Sequence, residues 1–225
     1  VLGALQPAAY VPVDISREHL VDMAKELAGD IPDLAIYPTC ADFTTAFELP
    51  SPVAEMPKVG FFPGSSIGNF SPRDAAGFLE RVADTLGTGA QLIIGVDLKK
   101  DTSVLEAAYD DSAGVTAAFN LNLLSHLGEV LGADLNPDRF AHRAEYNEEL
   151  GAVQMFLDVR ESHEVEIGGR RIRFEAGEAV HTENSFKYEP EEFLTLVRSA
   201  GFEETGVWTD ARGWFAVFLL EVARR

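Results

Sequence analysis

Along the chain, apolar positions switch between two spacings. Ala9 to Asp14 (AYVPVD), Leu34 to Tyr37, Val59 to Phe62 and Gln91 to Asp97 are short apolar runs without helical spacing, and they read as buried strands. Helical stretches separate them. Ser16 opens one as its N-cap, with Leu20, Met23, Ala24 and Leu27 on one face and a stop before Gly29-Asp30. Ser71-Pro72 opens another, with proline at the first helical position and a stripe of Phe78, Leu79, Val82 and Leu86. Strand, helix, strand in this order predicts a parallel, doubly wound α/β sheet.

The texture changes at Asp101. Val104 to Tyr109 and Val115 to Leu131 are helical, the second predicted to turn Phe119, Leu123, Leu127 and Leu131 inward. Alternating strands follow at Ala141 to Tyr146 and Val153 to Val159, then a hairpin with Gly168-Gly169 at its tip, between His163 to Ile167 and Arg171 to Phe174. After Pro190 the first pattern returns: a helix carrying Phe193, Leu194, Val197 and Ala200, then strands from Phe202 to Trp208 and from Trp214 to Val222. Residues 100–187 therefore read as a smaller α+β lobe inserted into a sheet domain made of residues 1–99 and 188–225. A closing antiparallel pair after parallel strands resembles the sheet of S-adenosylmethionine-dependent methyltransferases, a likeness of fold type alone.

Charge narrows the partners. With 37 acids against 18 basic residues the formal charge is −19, which argues against nucleic-acid phosphates and anionic membrane surfaces. No apolar run approaches the ~20 residues needed to span a bilayer. Cys40 is the only cysteine, so no internal disulfide forms, and it reads as a packing residue in a cytoplasmic protein. The histidines lack metal-ligand spacing, so no metal is expected. Val1-Leu-Gly-Ala-Leu, with no initiator Met, looks like the tail of a helix, and the chain reads as a fragment.

Candidate chemistry centres on Phe61 to Phe70, FFPGSSIGNF. A strand here delivers a loop in which Gly64, Ser65 and Ser66 let a ligand lie against bare backbone. Asn69 closes it with an amide able to serve an amino acid's carboxylate and amine together, or the segment simply turns the chain into the next helix. Asp14 at a strand end fits a carboxylate accepting from a ribose diol, and equally a helix cap beside Ser16. Asp42-Phe43 fits an adenine contact, amine to Asp42 and ring to Phe43, or a solvated loop. Tyr109-Asp110-Asp111 places acids at a helix end, where the dipole disfavours them. In His181 to Tyr188, alternation puts Glu183 and Ser185 on one side of an extended segment, a pair able to hold both nitrogens of an imidazole or merely a polar edge strand. Met155 and Phe119 read by themselves as core residues.

Taken together, FFPGSSIGNF, Gly95-Val-Asp-Leu-Lys-Lys-Asp, Ala107-Ala-Tyr-Asp-Asp, Gly114-Val-Thr-Ala-Ala-Phe-Asn-Leu-Asn and Thr182-Glu-Asn-Ser-Phe-Lys-Tyr resemble the histidine-specific N-alpha-methyltransferases of ergothioneine biosynthesis. The resemblance implies a class I, Rossmann-like fold with an inserted substrate-binding lobe, S-adenosyl-L-methionine as cofactor, and conversion of L-histidine through its mono- and dimethyl forms to trimethylhistidine, hercynine. It places the cofactor ribose on Asp14 and the adenine on Asp42 and Phe43, with Gly64 and Ser65 as further cofactor-binding candidates. It gives the substrate head group to Asn69 and Tyr109 and the imidazole to Glu183 and Ser185. Met155 shapes that pocket, and Phe119 lies near the methylated nitrogen. It also implies that the family's first strand, Gly-rich cofactor loop and N-terminal tyrosines lie upstream of Val1. The expected protein is a monomer acting on a small molecule. The rival expectations are a methyltransferase for another aromatic amino acid and a non-catalytic binding protein that lacks the cofactor loop.

Overall fold

The computed structural model describes residues 2–223. After a short helix α1 (Leu2–Leu5), the first predicted strand appears as β1 (Ala9–Tyr10) and β2 (Val13–Asp14), and the second as β3 (Ala35–Ile36) and β4 (Thr39–Cys40). Ala9 pairs with Ala35, Tyr10 with Ile36, Val13 with Thr39 and Asp14 with Cys40, all in parallel and at one constant offset. The four pieces are thus a single two-stranded ribbon. Pro12 and Pro38, which have no N–H to give the ladder, divide it. Helix α2 (Arg17–Asp30) joins the two halves and runs beyond the predicted end at Leu27. The Ser16 hydroxyl makes no cap bond; Oδ1 of Asp14 accepts the Ser16 N–H instead, at 2.7 Å. Cys40 is exposed rather than packed, with its thiol near the Ile15 carbonyl.

The central sheet has four strands in the order β12-β13-β6-β5. β5 (Val59–Phe62) and β6 (Gln91–Asp97) run parallel, and β13 (Phe215–Val222) lies antiparallel between β6 and β12 (Phe202–Thr209). Among the described residues the β1 to β4 ribbon does not hydrogen-bond to this sheet, so the expected continuous sheet is divided in two. Helices α3 (Pro72–Leu86) and α6 (Pro190–Ser199) pack beside each other against it. Phe78, Leu79, Phe193, Val197, Ile94 and Phe218 are buried in the same cluster. At roughly 1.5–3 kcal/mol per fully buried large apolar side chain, such a cluster is the main source of this region's stability. α3 begins as predicted, with the Ser71 hydroxyl accepting the Asp74 N–H at 3.2 Å and Pro72 at the start.

Between β6 and α6 the chain builds a second, antiparallel sheet in the order β11-β8-β7, from β7 (Phe140–Asn147), β8 (Ala152–Val159) and β11 (Ala179–Phe186). The hairpin β9 (His163–Ile167) and β10 (Arg170–Phe174) turns at Gly168-Gly169, as predicted. Helices α4 (Thr102–Tyr109) and α5 (Val115–Leu131) lie against β7 and β8. α5 does not turn the predicted face inward. Phe119 is 69% exposed, with Leu123 and Leu131 also exposed, while Asn120 and Leu124 are buried and Leu121 and Leu127 pack beside them. The helix is apolar around much of its circumference, so spacing could not choose a face. The Asn120 amide decides it, because its Nδ2 needs and finds the Phe156 carbonyl at 3.2 Å and Nδ1 of His142 at 3.0 Å.

The two sheets meet where the chain leaves one and returns from the other. Leu98 and Tyr188 form a parallel bridge, and the Lys99 N–H donates to the Tyr188 carbonyl at 3.1 Å. A 3-10 turn, Ser66–Asn69, lies across the end of β11. Gly68 permits this contact, since a Cβ there would sit 2.7 Å from the Phe186 carbonyl oxygen and 3.4 Å from Oγ of Ser185. Gly68→Ala is therefore expected to lower stability by about 1–3 kcal/mol, the usual range for overpacking. Thermal unfolding measures it as a drop in Tm of several degrees, and an unchanged Tm would show that the turn is free to shift.

Candidate active site

β5 ends at Phe62, and after Pro63 both Gly64 (φ 76°) and Ser65 (φ 60°) take positive, left-handed φ values. For serine this costs about 1–2 kcal/mol. The corner is held because Oγ of Ser65 accepts the backbone N–H of Asp97 at 2.8 Å, which ties the loop to the end of β6. Strain that the surroundings hold in place is characteristic of functional corners. The loop delivers the turn bearing Asn69. This amide is exposed and makes no hydrogen bond among the described residues.

On β11, a register shift falls between His181 and Glu183, after which Glu183 pairs with Met155 and Ser185 with Val153. The shift absorbs Thr182 as an extra residue, and Glu183 and Ser185 then share one side, as alternation predicted. Directly opposite residues in an antiparallel pair share a face, so Met155, 4% exposed, stands beside Glu183. Burial raises the Glu183 carboxyl above its ordinary value, offset in part by the Lys187 ammonium. Its carboxylate makes no hydrogen bond among the described residues.

Tyr109, at the end of α4, meets Ser185 directly, with Oη and Oγ 2.7 Å apart. Tyr109 thus stands with Ser185. His142 sets its place: the Asn120 amide donates to Nδ1, which leaves the proton on Nε2, and Nε2 donates to the Tyr109 carbonyl at 2.8 Å. The second of the two acids after Tyr109 is explained too. Asp111 accepts the N–H groups of Val115 and Thr116 at 3.1 and 2.8 Å, capping α5, and these bonds lower its pKa to about 2. Asp111 belongs to the next helix's favourable end.

Lys187 is the residue that the sequence reading missed. It is the next position on the Glu183 and Ser185 side of the strand, so the same alternation contained it. Its side chain is fully buried, and its Nζ lies 2.6 Å from Oγ of Ser185, 2.7 Å from Oη of Tyr109 and 3.2 Å from Oδ2 of Asp97. Lys100 pairs with the other oxygen of Asp97.

The remaining predicted residues lie elsewhere. Phe119 is solvent-facing on α5. Asp14 ends β2 and Asp42 follows its neighbour β4, and the Ala41 N–H donates to the Asp14 carbonyl at 3.1 Å, so the two carboxylates share one end of the ribbon. Each is oriented by a local turn through Oδ1, Asp14 by the Ser16 N–H and Asp42 by the N–H and hydroxyl of Thr44, which also lower the Asp42 pKa. Oδ2 of each makes no hydrogen bond among the described residues. Phe43 packs 5.9 Å from Phe62 and 6.0 Å from Phe78 between ring centroids, anchoring this end to the central sheet while remaining half-buried.

A family described as histidine-specific methyltransferase, SAM-dependent, matches residues 1–222. The chain belongs to this family. Relatives include a histidine N-alpha-methyltransferase of Mycolicibacterium smegmatis, 37% identical over 216 residues that make up 93% of this chain and 65% of the relative. Another is ergothioneine biosynthesis protein 1 of Neurospora crassa, 37% identical over 149 residues, 65% of this chain and 17% of that protein. The CcbJ methyltransferase from Streptomyces caelestis superimposes with a TM-score of 0.55 at 14% identity, covering 99% of this chain and 78% of that one. This likeness shows the class I methyltransferase fold. The chain spans 65% of the length of the Mycolicibacterium relative. The family's cofactor is S-adenosylmethionine, and the residues here fit it: two oriented carboxylates, each with a free oxygen, suit ribose hydroxyls and an adenine amine, and around Gly64 the space a Cβ would take is open.

Proposed function

We propose that the intact protein methylates the α-amino group of L-histidine, through the mono- and dimethyl forms to hercynine, in ergothioneine biosynthesis. The observation that carries this reading is the meeting of Glu183, Ser185 and Tyr109 at one end of the second sheet, beside Met155 and under the turn that bears Asn69. A carboxylate and a hydroxyl on one face suit the two nitrogens of an imidazole. The Asn69 amide can accept from the substrate's amine and donate to its carboxylate. Residues 100–187 serve as the substrate lobe, and Asp14, Asp42, Phe43, Gly64 and Ser65 hold the cofactor.

When bound, the cofactor supplies an electrophilic sulfonium methyl. The chain's own work is then alignment, which can supply about 7 kcal/mol or more without any covalent nucleophile. Asn69 fixes the amine, Glu183 and Ser185 fix the ring, and Tyr109 sets the hydroxyl of Ser185. The amine gives its proton to water before each transfer. Calorimetry on the intact protein tests the reading. L-Histidine is expected to bind saturably and L-tryptophan not to bind; the reverse result would assign the site to another aromatic amino acid.

A further inference from the structure

The ammonium of Lys187 has three protons and no acceptor, and the structure gives it three oxygens: Ser185 at 2.6 Å, Tyr109 at 2.7 Å and Asp97 at 3.2 Å. Nothing remains on Lys187 for a ligand. Its effect lies in what it leaves on the two hydroxyls. Of the pair, the phenol is the more acidic group and the alcohol the better acceptor, which favours Tyr109 as the donor to Ser185 across their 2.7 Å contact. Oγ of Ser185 then accepts twice, from Lys187 and from Tyr109, and both its lone pairs are filled. Its own proton is then the one hydroxyl proton of the pair without a partner among the described residues.

We infer that Lys187 is a positioning residue that makes Ser185 a donor only, so that the ring site takes a neutral imidazole in one tautomer and refuses imidazolium. This rests on the histidine reading above. A neutral ring presents one N–H and one bare nitrogen. Glu183 accepts the first, and Ser185 donates to the second. An imidazolium presents two N–H groups, and the second would meet a saturated oxygen with an ammonium behind it. The charged and titratable groups around that point are Asp97 and Lys100 at the end of β6, Tyr109 on α4, and Glu183 and Lys187 at the end of the second sheet. Asp97 is already shared between both lysines, so it leaves no negative charge over to welcome a cationic ring.

The test is the pH dependence of histidine affinity in the intact protein, by calorimetry at pH 5.5 and 7.5. Taking an imidazole pKa of about 6.5, the neutral fraction falls about tenfold between these values, and the wild-type Kd is expected to rise about tenfold. Lys187→Met frees a lone pair on Ser185 and removes the cation. Its Kd at pH 7.5 should rise, while its ratio between the two pH values should fall below about threefold. Tyr109→Phe frees the same lone pair without touching the buried charge, so it must also flatten the ratio and carries the test if Lys187→Met does not fold. Glu183→Gln keeps the wild-type ratio, which separates the ring's titration from that of the carboxyl. A folded Lys187→Met or Tyr109→Phe protein that keeps the tenfold ratio would overturn the inference alone. If Ser185→Ala and Glu183→Ala both leave histidine affinity unchanged, the histidine reading fails and the inference with it.

Discussion

Glu183→Ala is expected to weaken binding of L-histidine roughly 10- to 150-fold while the affinity for S-adenosylmethionine stays the same. The magnitude is that of a hydrogen bond to a charged group, about 1.5–3 kcal/mol. The selectivity comes from position. Glu183 faces Met155 within the second sheet, whereas the carboxylates fitted to the cofactor stand at the end of the β1 to β4 ribbon. Isothermal titration with each ligand separates the two effects. Equal losses for both ligands would remove Glu183 from the imidazole site and point to general damage to the fold.

The same residue makes a second, opposite signature. Burial raises the Glu183 carboxyl, so the folded protein binds that proton more tightly than the unfolded chain does. Stability then falls as pH rises from the ordinary carboxyl value through the raised one, because charging the group costs more in the fold than in water. Above that window the ligand-free protein carries a half-buried carboxylate with no hydrogen bond among the described residues. Glu183→Gln removes the charge at nearly constant shape. It should raise Tm at pH 7 to 8 and leave Tm near pH 4 unchanged, while histidine binding weakens. A side chain that costs stability and supports binding is what a recognition group looks like.

Much of this fold was legible because local chemistry and packing agree. Ser71-Pro72 capped α3, Gly168-Gly169 turned its hairpin, and the closing pair β12 and β13 followed its alternation. Where the reading missed, a nonlocal partner decided. The face of α5 was set by the needs of one amide, Asn120, which finds its acceptors on β7 and β8. Asp111 looked misplaced at the end of α4 only because its partners belong to α5. The placement of Glu183, Ser185 and Met155 followed from strand period and register. Lys187 lay in the same alternation, yet a lysine in a strand reads as solvated until Asp97, 90 positions earlier in the chain, is seen beneath it. Phe119 stayed out of reach of the cluster, since an apolar side chain at helical spacing carries no sign of what will cover it.

Asn69→Ala should reduce turnover at least about a hundredfold and leave stability almost untouched. Asn69 is exposed and makes no hydrogen bond among the described residues, so its removal breaks nothing inside the protein, and the change in stability should stay within about 0.5 kcal/mol. Its neighbours are held hard by comparison: Gly68 lies against the Phe186 carbonyl, and Ser65 is bound to Asp97. An amide left without a partner on so constrained a turn is free to meet a ligand. If it fixes the amine, losing it lets the nitrogen rotate out of line, and a displacement of about 1 Å costs on the order of a hundredfold in rate. Histidine should still bind through its ring, so the loss falls mainly on kcat, with Tm moving by no more than a degree or two. Steady-state kinetics on the intact protein decide the matter, because a variant that turns over normally leaves the head group to be held by something other than Asn69.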